Sequence, residues 1–247
     1  MNELILIASL VFIYGMALLA FFLFGKSGLY ALSALATVLA NIEVAILIKA
    51  FGMEQTLGNV LFAVTFLITD ILSECEGKKA ANKAVLISIL SQVFFLALSQ
   101  SWMWYKPSES DTIMPAIKEL FSGTPRIIAA SLVTYAVSQI FDVWLYHKWW
   151  KLTEKKSGSS RKFLWLRNNG STLISQIINT ALFTLIAFAG TYDFMTLLSI
   201  FGSSYVIYVF TSLLDTPIIY LARLIDERRK KKSATPQNPE QLEPSVS

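Results

Sequence analysis

Long apolar stretches, each about the length of a bilayer crossing, constrain this chain more than any other feature. Leu4–Phe24 contains no charged residue, and about 20 apolar residues in helical form span the hydrocarbon core. A window of that length picks out seven stretches: Leu4–Phe24, Leu29–Ala50, Leu57–Leu72, Ala84–Tyr105, Ile127–Tyr146, Thr172–Gly190 and Thr196–Ala222. The last contains Asp215 and Pro217, and a break or kink is expected there because proline lacks a backbone N–H. Only 15% of the residues are charged and 54% are hydrophobic, against about 25% charged in a soluble domain. Too little polar surface remains to face water. A soluble enzyme, a disordered chain and a fibrous repeat are thereby excluded, and an all-α polytopic membrane helix bundle is expected.

The charges give an orientation. With the N-terminus outside and seven alternating spans, 17 of the 21 Lys and Arg fall on the cytoplasmic side and 4 outside, the bias expected of cytoplasmic loops. Met1-Asn2-Glu3 lacks the basic start of a cleaved leader, so the first span is expected to be retained. Lys106–Thr124 is expected to be an outer loop carrying a short interfacial helix over Ile113–Phe121. Lys148–Arg167, with Ser157-Gly158-Ser159-Ser160 at its tip, is expected to be a flexible cytoplasmic loop. The tail after Arg229 turns Pro-, Gln- and Glu-rich and is expected to be disordered. Its Lys/Arg run reads as a partner for anionic membrane lipid, at about 1 kcal/mol per residue, and not as a direct nucleic-acid site.

One cysteine (Cys75) and one histidine (His147) leave no disulfide and no paired-imidazole zinc motif. No metal site, cofactor or catalytic residue is expected, and an intramembrane enzyme is the least favoured class. The informative residues are polar ones at membrane depth, where a charge costs at least about 2.5 kcal/mol on insertion scales. Glu43 lies in the second span. Asp70 and Glu74 share a face of the third at i,i+4 spacing, with Lys78 on the same stripe as a candidate partner for Glu74. Gln139 and Asp142 stand at i,i+3 in the fifth span, and Gln176 and Asn179 repeat that spacing in the sixth. These pairs sit in an internal echo, Ser138-Gln139-Ile140-Phe141-Asp142 against Ser175-Gln176-Ile177-Ile178-Asn179. Inverted repeats or shared local packing would each produce it. Arg126 and Arg167, at the starts of these spans, either neutralise a carboxylate or anchor at the interface. The tryptophans near span ends read as an interfacial belt, with one or two of them placed to stack on a flat ligand. Carboxyls accept hydrogen bonds while amides both donate and accept. Such a set suits a planar heterocyclic base of guanine type, an amine, a cation or a small amide.

Phe66-Leu67-Ile68-Thr69-Asp70-Ile71-Leu72-Ser73-Glu74-Cys75-Glu76-Gly77-Lys78-Lys79-Ala80 resembles the signature of the queuosine precursor transporters, a family also catalogued as vitamin uptake transporters. Arg126-Ile127 to Ser131 with Ser138-Gln139 and Asp142-Val143 looks like its next block. Leu164-Trp165-Leu166-Arg167, Ser171-Thr172, Gln176, Asn179-Thr180, Phe183 and Ala187-Phe188-Ala189-Gly190 look like the third. The resemblance covers roughly Ala31 to Ala222. It implies a six-helix core (29–223) preceded by an extra transmembrane helix (1–28) and followed by a basic, polar cytoplasmic tail (224–247). It implies an importer in the cell membrane for queuine or its 7-deazaguanine precursors, bound by Glu43, Asp70, Glu74, Gln139, Asp142, Gln176 and Asn179. The alternative it leaves is the substrate-binding subunit of an energy-coupling-factor vitamin transporter. No phosphate-binding loop is present in the sequence, so any energising ATPase would be a partner, and a homo-oligomer is left open. The family shows an aliphatic–aromatic pair where Cys75-Glu76 stand and an aspartate where Asn179 stands. An amide at that position favours a neutral base over a cationic aminomethyl one.

Overall fold

In a computed structural model, which describes residues 1–122, 125–158 and 162–234, the described chain folds into long helices with a small hairpin and one short helix between them. The order is α1 (Asn2–Phe24), α2 (Lys26–Glu43), β1 (Leu47–Ala50), β2 (Met53–Thr56), α3 (Gly58–Cys75), α4 (Lys78–Trp102), α5 (Met114–Ser122), α6 (Pro125–Ser157), α7 (Leu164–Phe188) and α8 (Phe194–Ala234). Six of these, α1, α3, α4, α6, α7 and α8, are long and apolar enough to cross a membrane. The helix α2 falls short of that apolarity, diluted by Ser33, Thr37 and Asn41, which it buries. α2 packs against α3 and α4, and α1 packs against α2, α3 and α8.

Gly25 folds α1 back onto α2. Its φ of +61° suits glycine, and a side chain there would press on the Arg229 guanidinium at 2.9 Å. Arg229 itself donates to the Phe21 carbonyl at 3.0 Å. Three residues on, the backbones come so close that a Cβ on Gly28 would sit 2.4 Å from the Ala20 carbonyl oxygen.

The second apolar stretch does not continue as a helix to Ala50. Past Glu43 the chain forms an antiparallel hairpin in which Leu47 pairs with Thr56 and Ala50 with Met53. Phe51 and Gly52 turn it with φ of 52° and 75°, the pair of positive φ angles that a tight hairpin uses. Hydropathy alone does not separate a short apolar strand from a helix end. The hairpin is tied to the start of α1, where Asn2 donates to the Lys49 carbonyl at 2.9 Å and the Phe51 N–H donates to Glu3 at 3.2 Å.

α3 is the axis of the bundle. Roughly 27 Å long at 1.5 Å per residue, it buries all but two of its residues, Phe62 and Glu74 being partly exposed. The other long helices surround it and turn Leu, Phe and Ile outward: Leu86, Leu90 and Phe94 on α4, Phe210, Leu213 and Leu214 on α8, and Phe12 and Phe22 on α1 are exposed. That is the pattern of a bundle solvated by lipid.

The loop after α4 carries the expected short helix, with Asp111 capping the N–H of Met114 at 2.9 Å. Asp193 caps α8 through the Thr196 N–H at 2.9 Å and its hydroxyl at 2.8 Å, and these bonds hold its carboxyl below the usual range. Two loops are shorter than expected. α6 runs on to Ser157 and α7 begins at Leu164, so most of the expected loop 148–167 is helical. Its Ser159-Ser160 tip lies outside the described residues. α8 passes through Pro217 without a break and continues to Ala234. The stretch 224–234 of the expected disordered tail is therefore helical, and 235–247 lies outside the described residues.

The close approach at Gly28 yields a stability prediction. Gly28→Ala forces the α1–α2 hairpin apart and costs about 1–3 kcal/mol, the usual range for overpacking. Gly15→Ala, with nothing within 4 Å of the new Cβ, leaves the detergent-solubilised protein's thermal midpoint unchanged.

Candidate functional site

Polar side chains converge between α3, α6, α7 and α8 and form layers along the bundle. At the hairpin end lies an open vestibule of about 1160 Å³, bordered by the hairpin, α5 and the outer turns of α7 and α8. Val44, Phe183 and Ser204 line both this vestibule and a smaller chamber of about 30 Å³. The chamber is walled by Asn59, Ser131, Thr134, Asn179 and Tyr208, with Phe62 and Phe183 as apolar faces. Its volume suits a water or two, so a base-sized ligand needs these helices to part further. Tyr208 donates to Asn59 at 3.1 Å. The Asn59 amide nitrogen and the hydroxyls of Ser131 and Thr134 are buried without a hydrogen-bond partner among the described residues.

Below the chamber the echoed segments meet. α6 and α7 run antiparallel, so Ser138 of the first segment donates to Asn179 of the second at 3.3 Å, and Ser175 of the second lies against Asp142 of the first. The echo is thus a reciprocal pairing of serine with the residue four positions on in the other copy. Asn179 also donates to Gln176 at 3.0 Å. Gln139 crosses to α3, donating to Thr65 at 2.8 Å and accepting from Thr69 at 3.1 Å.

The next layer holds two carboxyls. Asp70 and Asp142 adjoin, and neither has any exposed surface. Thr172 donates to one oxygen of Asp70 at 3.0 Å. The other Asp70 oxygen and both oxygens of Asp142 have no hydrogen-bond partner among the described residues. Asp215 lies within electrostatic reach and receives a hydrogen bond from Tyr14 of α1.

One helical turn further, Glu74 closes the bundle. Lys78 is not its partner. Arg167, fully buried, grips Glu74 at 2.8 and 3.1 Å. Arg223 approaches at 3.4 Å, and Tyr146 donates at 2.8 Å. Trp150 covers the Arg167 guanidinium at 4.3 Å. Neither expected role is shown for Arg126; it ties down the end of α7 through the carbonyls of Ile186 and Ala189, both at 2.6 Å.

Of the seven residues singled out, Asp70, Gln139, Asp142, Gln176 and Asn179 share this column, and Glu74 forms its ionic floor. Glu43 stands half-buried at the last turn of α2, and its carboxylate has no hydrogen-bond or ion-pair partner among the described residues. Sequence reasoning did not find Asn59, Ser131, Thr134, Tyr208 or Tyr14. The hydroxyls follow no helical stripe that distinguishes them from packing residues, and α8 contributes through a face the spacing did not mark.

A family model described as "Putative vitamin uptake transporter" matches residues 56–222, which contain the whole column except Tyr14 and Arg223. A Bacillus subtilis (strain 168) protein named "Probable queuosine precursor transporter" is 36% identical over 208 residues, covering 83% of this chain and 89% of the relative. An Escherichia coli (strain K12) protein named "Queuosine precursor transporter" is 27% identical over 149 residues, 60% of this chain and 62% of the relative. No solved structure matches the chain.

Breaking the ionic floor has a defined cost. Glu74→Gln leaves the Arg167 guanidinium buried against a neutral amide, and loss of one partner of a buried pair costs about 3–5 kcal/mol. Glu74→Gln combined with Arg167→Met removes the stranded charge. Denaturation in detergent should show the double variant more stable than Glu74→Gln alone.

Proposed function

The chain belongs to the queuosine precursor transporter family, and on that premise we propose that it carries a 7-deazaguanine base, queuine or one of its precursors, into the cell through the column between α3, α6, α7 and α8. The observation that carries this reading is the join between an open vestibule and a chamber lined by unpartnered amide and hydroxyl groups, with Phe62 and Phe183 on its walls. Amides and hydroxyls offer both donors and acceptors to the edge of a base, and aromatic side chains suit its faces. Buried polar groups without partners are costly, and a ligand that pairs with them removes that cost. Asp70, Gln139, Asp142, Gln176 and Asn179 are the residues we assign to binding. Glu74 with Arg167 would act as the gate at the far end.

The chain would sit in the cell membrane with its N-terminus outside and its C-terminus in the cytoplasm. The end of the bundle opposite the vestibule supports this orientation: it gathers Lys26 on Glu76, Lys230 on the Cys75 carbonyl and Arg229 on Phe21, and cytoplasmic ends are the basic ones. We read the protein as a solitary carrier and not an enzyme. Copurification of an ATPase would move it instead to the substrate-binding-subunit class.

The test is uptake of labelled queuine and of its cyano- and aminomethyl-deazaguanine precursors by cells lacking their own route. Wild type should exceed empty vector for at least one base; equality for all three refutes the reading. Asn179→Asp should raise uptake of the cationic aminomethyl precursor relative to the cyano one by about tenfold or more, since a hydrogen bond to a charged group adds about 1.5–3 kcal/mol.

A further inference from the structure

Asp70 and Asp142 adjoin at the centre of the column, both with no exposed surface. Two ionised carboxylates side by side in such a place repel one another, and one of them takes up a proton unless a cation intervenes. The fully buried cation nearby, Arg167, is already engaged with Glu74 through both of that residue's oxygens. Among the described residues no other positive charge bears on the pair, and Arg223 of α8 approaches Glu74 at 3.4 Å. α3 presents Glu74 one turn away, α6 presents Tyr146, α7 presents Ser171, Thr172 and Ser175 besides Arg167, and α8 presents Asp215, backed by Tyr14 of α1. α2 and α4 turn only neutral polar groups inward, Ser33, Thr37 and Asn41 on one and Ser88 and Gln92 on the other. Lys78, Lys79 and Lys83 of α4 are exposed.

A second observation points to an occupant of this layer. The Ser175 hydroxyl is wholly buried and turned on Asp142, and the Ser73 hydroxyl on α3 is wholly buried with no hydrogen-bond partner among the described residues. Three of the four carboxyl oxygens are unpartnered too. Among the described residues no three His, Cys, Asp or Glu side chains are gathered as a zinc-type ion would need. A proton needs only two oxygens and a dry site, and two carboxyls in contact provide both.

We infer that the Asp70–Asp142 pair is the proton-coupling site of the carrier, binding one proton that travels inward with each base. This rests on the proposed import of a base. The cycle balances in protons. An O–H bond forms on a carboxyl oxygen of the pair when the column opens to the vestibule, the proton coming from hydronium. It breaks when the column opens at the basic end, the proton passing to water there. Between these events the pair crosses the closed state with less charge, so closing is tied to protonation. A protonated carboxyl also donates to a carbonyl oxygen of the base, which an ionised one cannot do.

The experiment uses the full chain in proteoliposomes with a pH dye inside and radiolabelled queuine as probe. Exchange of queuine at equal pH on both sides tests the carrier itself. Accumulation under an imposed gradient, acid on the vestibule side, tests the coupling. For wild type we expect queuine to accumulate up to about tenfold per pH unit, as one proton per base requires, with acidification of the lumen when queuine is added. Asp142→Asn should bring the ratio of gradient-driven accumulation to equal-pH exchange down to one, and Asp142→Glu should restore a ratio above one. Exchange by wild type without any response to the pH gradient overturns the coupling and leaves the carrier standing, as does accumulation driven by a sodium gradient in its place. A wild-type response to the pH gradient that Asp142→Asn and Asp70→Asn both retain overturns the assignment to this pair. Absence of queuine exchange in wild type removes the import reading and the coupling with it.

Discussion

The dominant constraint is that an apolar solvent offers no hydrogen bonds, so every polar group at membrane depth must find its partner inside the protein or be held ready for a visitor. α3 shows how the fold meets this. Because the other long helices surround it, it can carry Thr65, Thr69, Asp70, Ser73 and Glu74 at depths where a lipid-facing helix could not. The outward faces of α1, α4 and α8 are correspondingly oily. The same rule divides the interior groups into two kinds. Glu74, Arg167 and Tyr146 satisfy one another and hold the basic end shut. The Asn59 amide nitrogen and the hydroxyls of Ser73, Ser131 and Thr134 are buried without hydrogen-bond partners among the described residues.

This arrangement describes a carrier open to one side. On the proposed reading the vestibule would admit a base, and the chamber beneath it, about 30 Å³, would hold one only after the helices part. The carboxyl pair and the ionic floor lie between the chamber and the basic end. Release at that end would require the Glu74–Arg167–Arg223 contacts to loosen, which would tie opening to the α7 and α8 turns that carry the two arginines. α1 contributes from outside the matched family region. Its Tyr14 satisfies Asp215, a carboxyl that would otherwise stand buried on α8, and its final turns hold Arg229 through Phe21.

Much of this was legible before the fold was seen, for physical reasons that differ by residue. Charge in an apolar run is conspicuous, so Asp70, Asp142 and Glu74 could be read directly. The Ser-Gln-x-x-Asp and Ser-Gln-x-x-Asn echo marked two helices that pack antiparallel, and their reciprocal pairing is what a repeated interface would produce. Other features had no such signal. An apolar strand and a helix end look alike to hydropathy, so the hairpin over 47–56 was hidden within a span. Glu74 chose Arg167, 93 residues away, over the nearby Lys78, because the fully buried guanidinium makes two hydrogen bonds where an exposed ammonium would make a screened contact. Asn59 and Tyr208 meet only after α3 and α8 pack, and nothing local to either sequence position announces it.

The central claim is that the buried polar column is the passage for a flat, hydrogen-bonding base. It is tested most directly by an experimental structure of the protein with queuine bound. The account predicts the base between Phe62 and Phe183, its edge within hydrogen-bond distance of Asn179 and of at least one of Asp70, Gln139, Asp142 and Gln176, in a chamber widened to reach them. A base seated elsewhere, with Asn59, Ser131 and Thr134 still without partners, would contradict it.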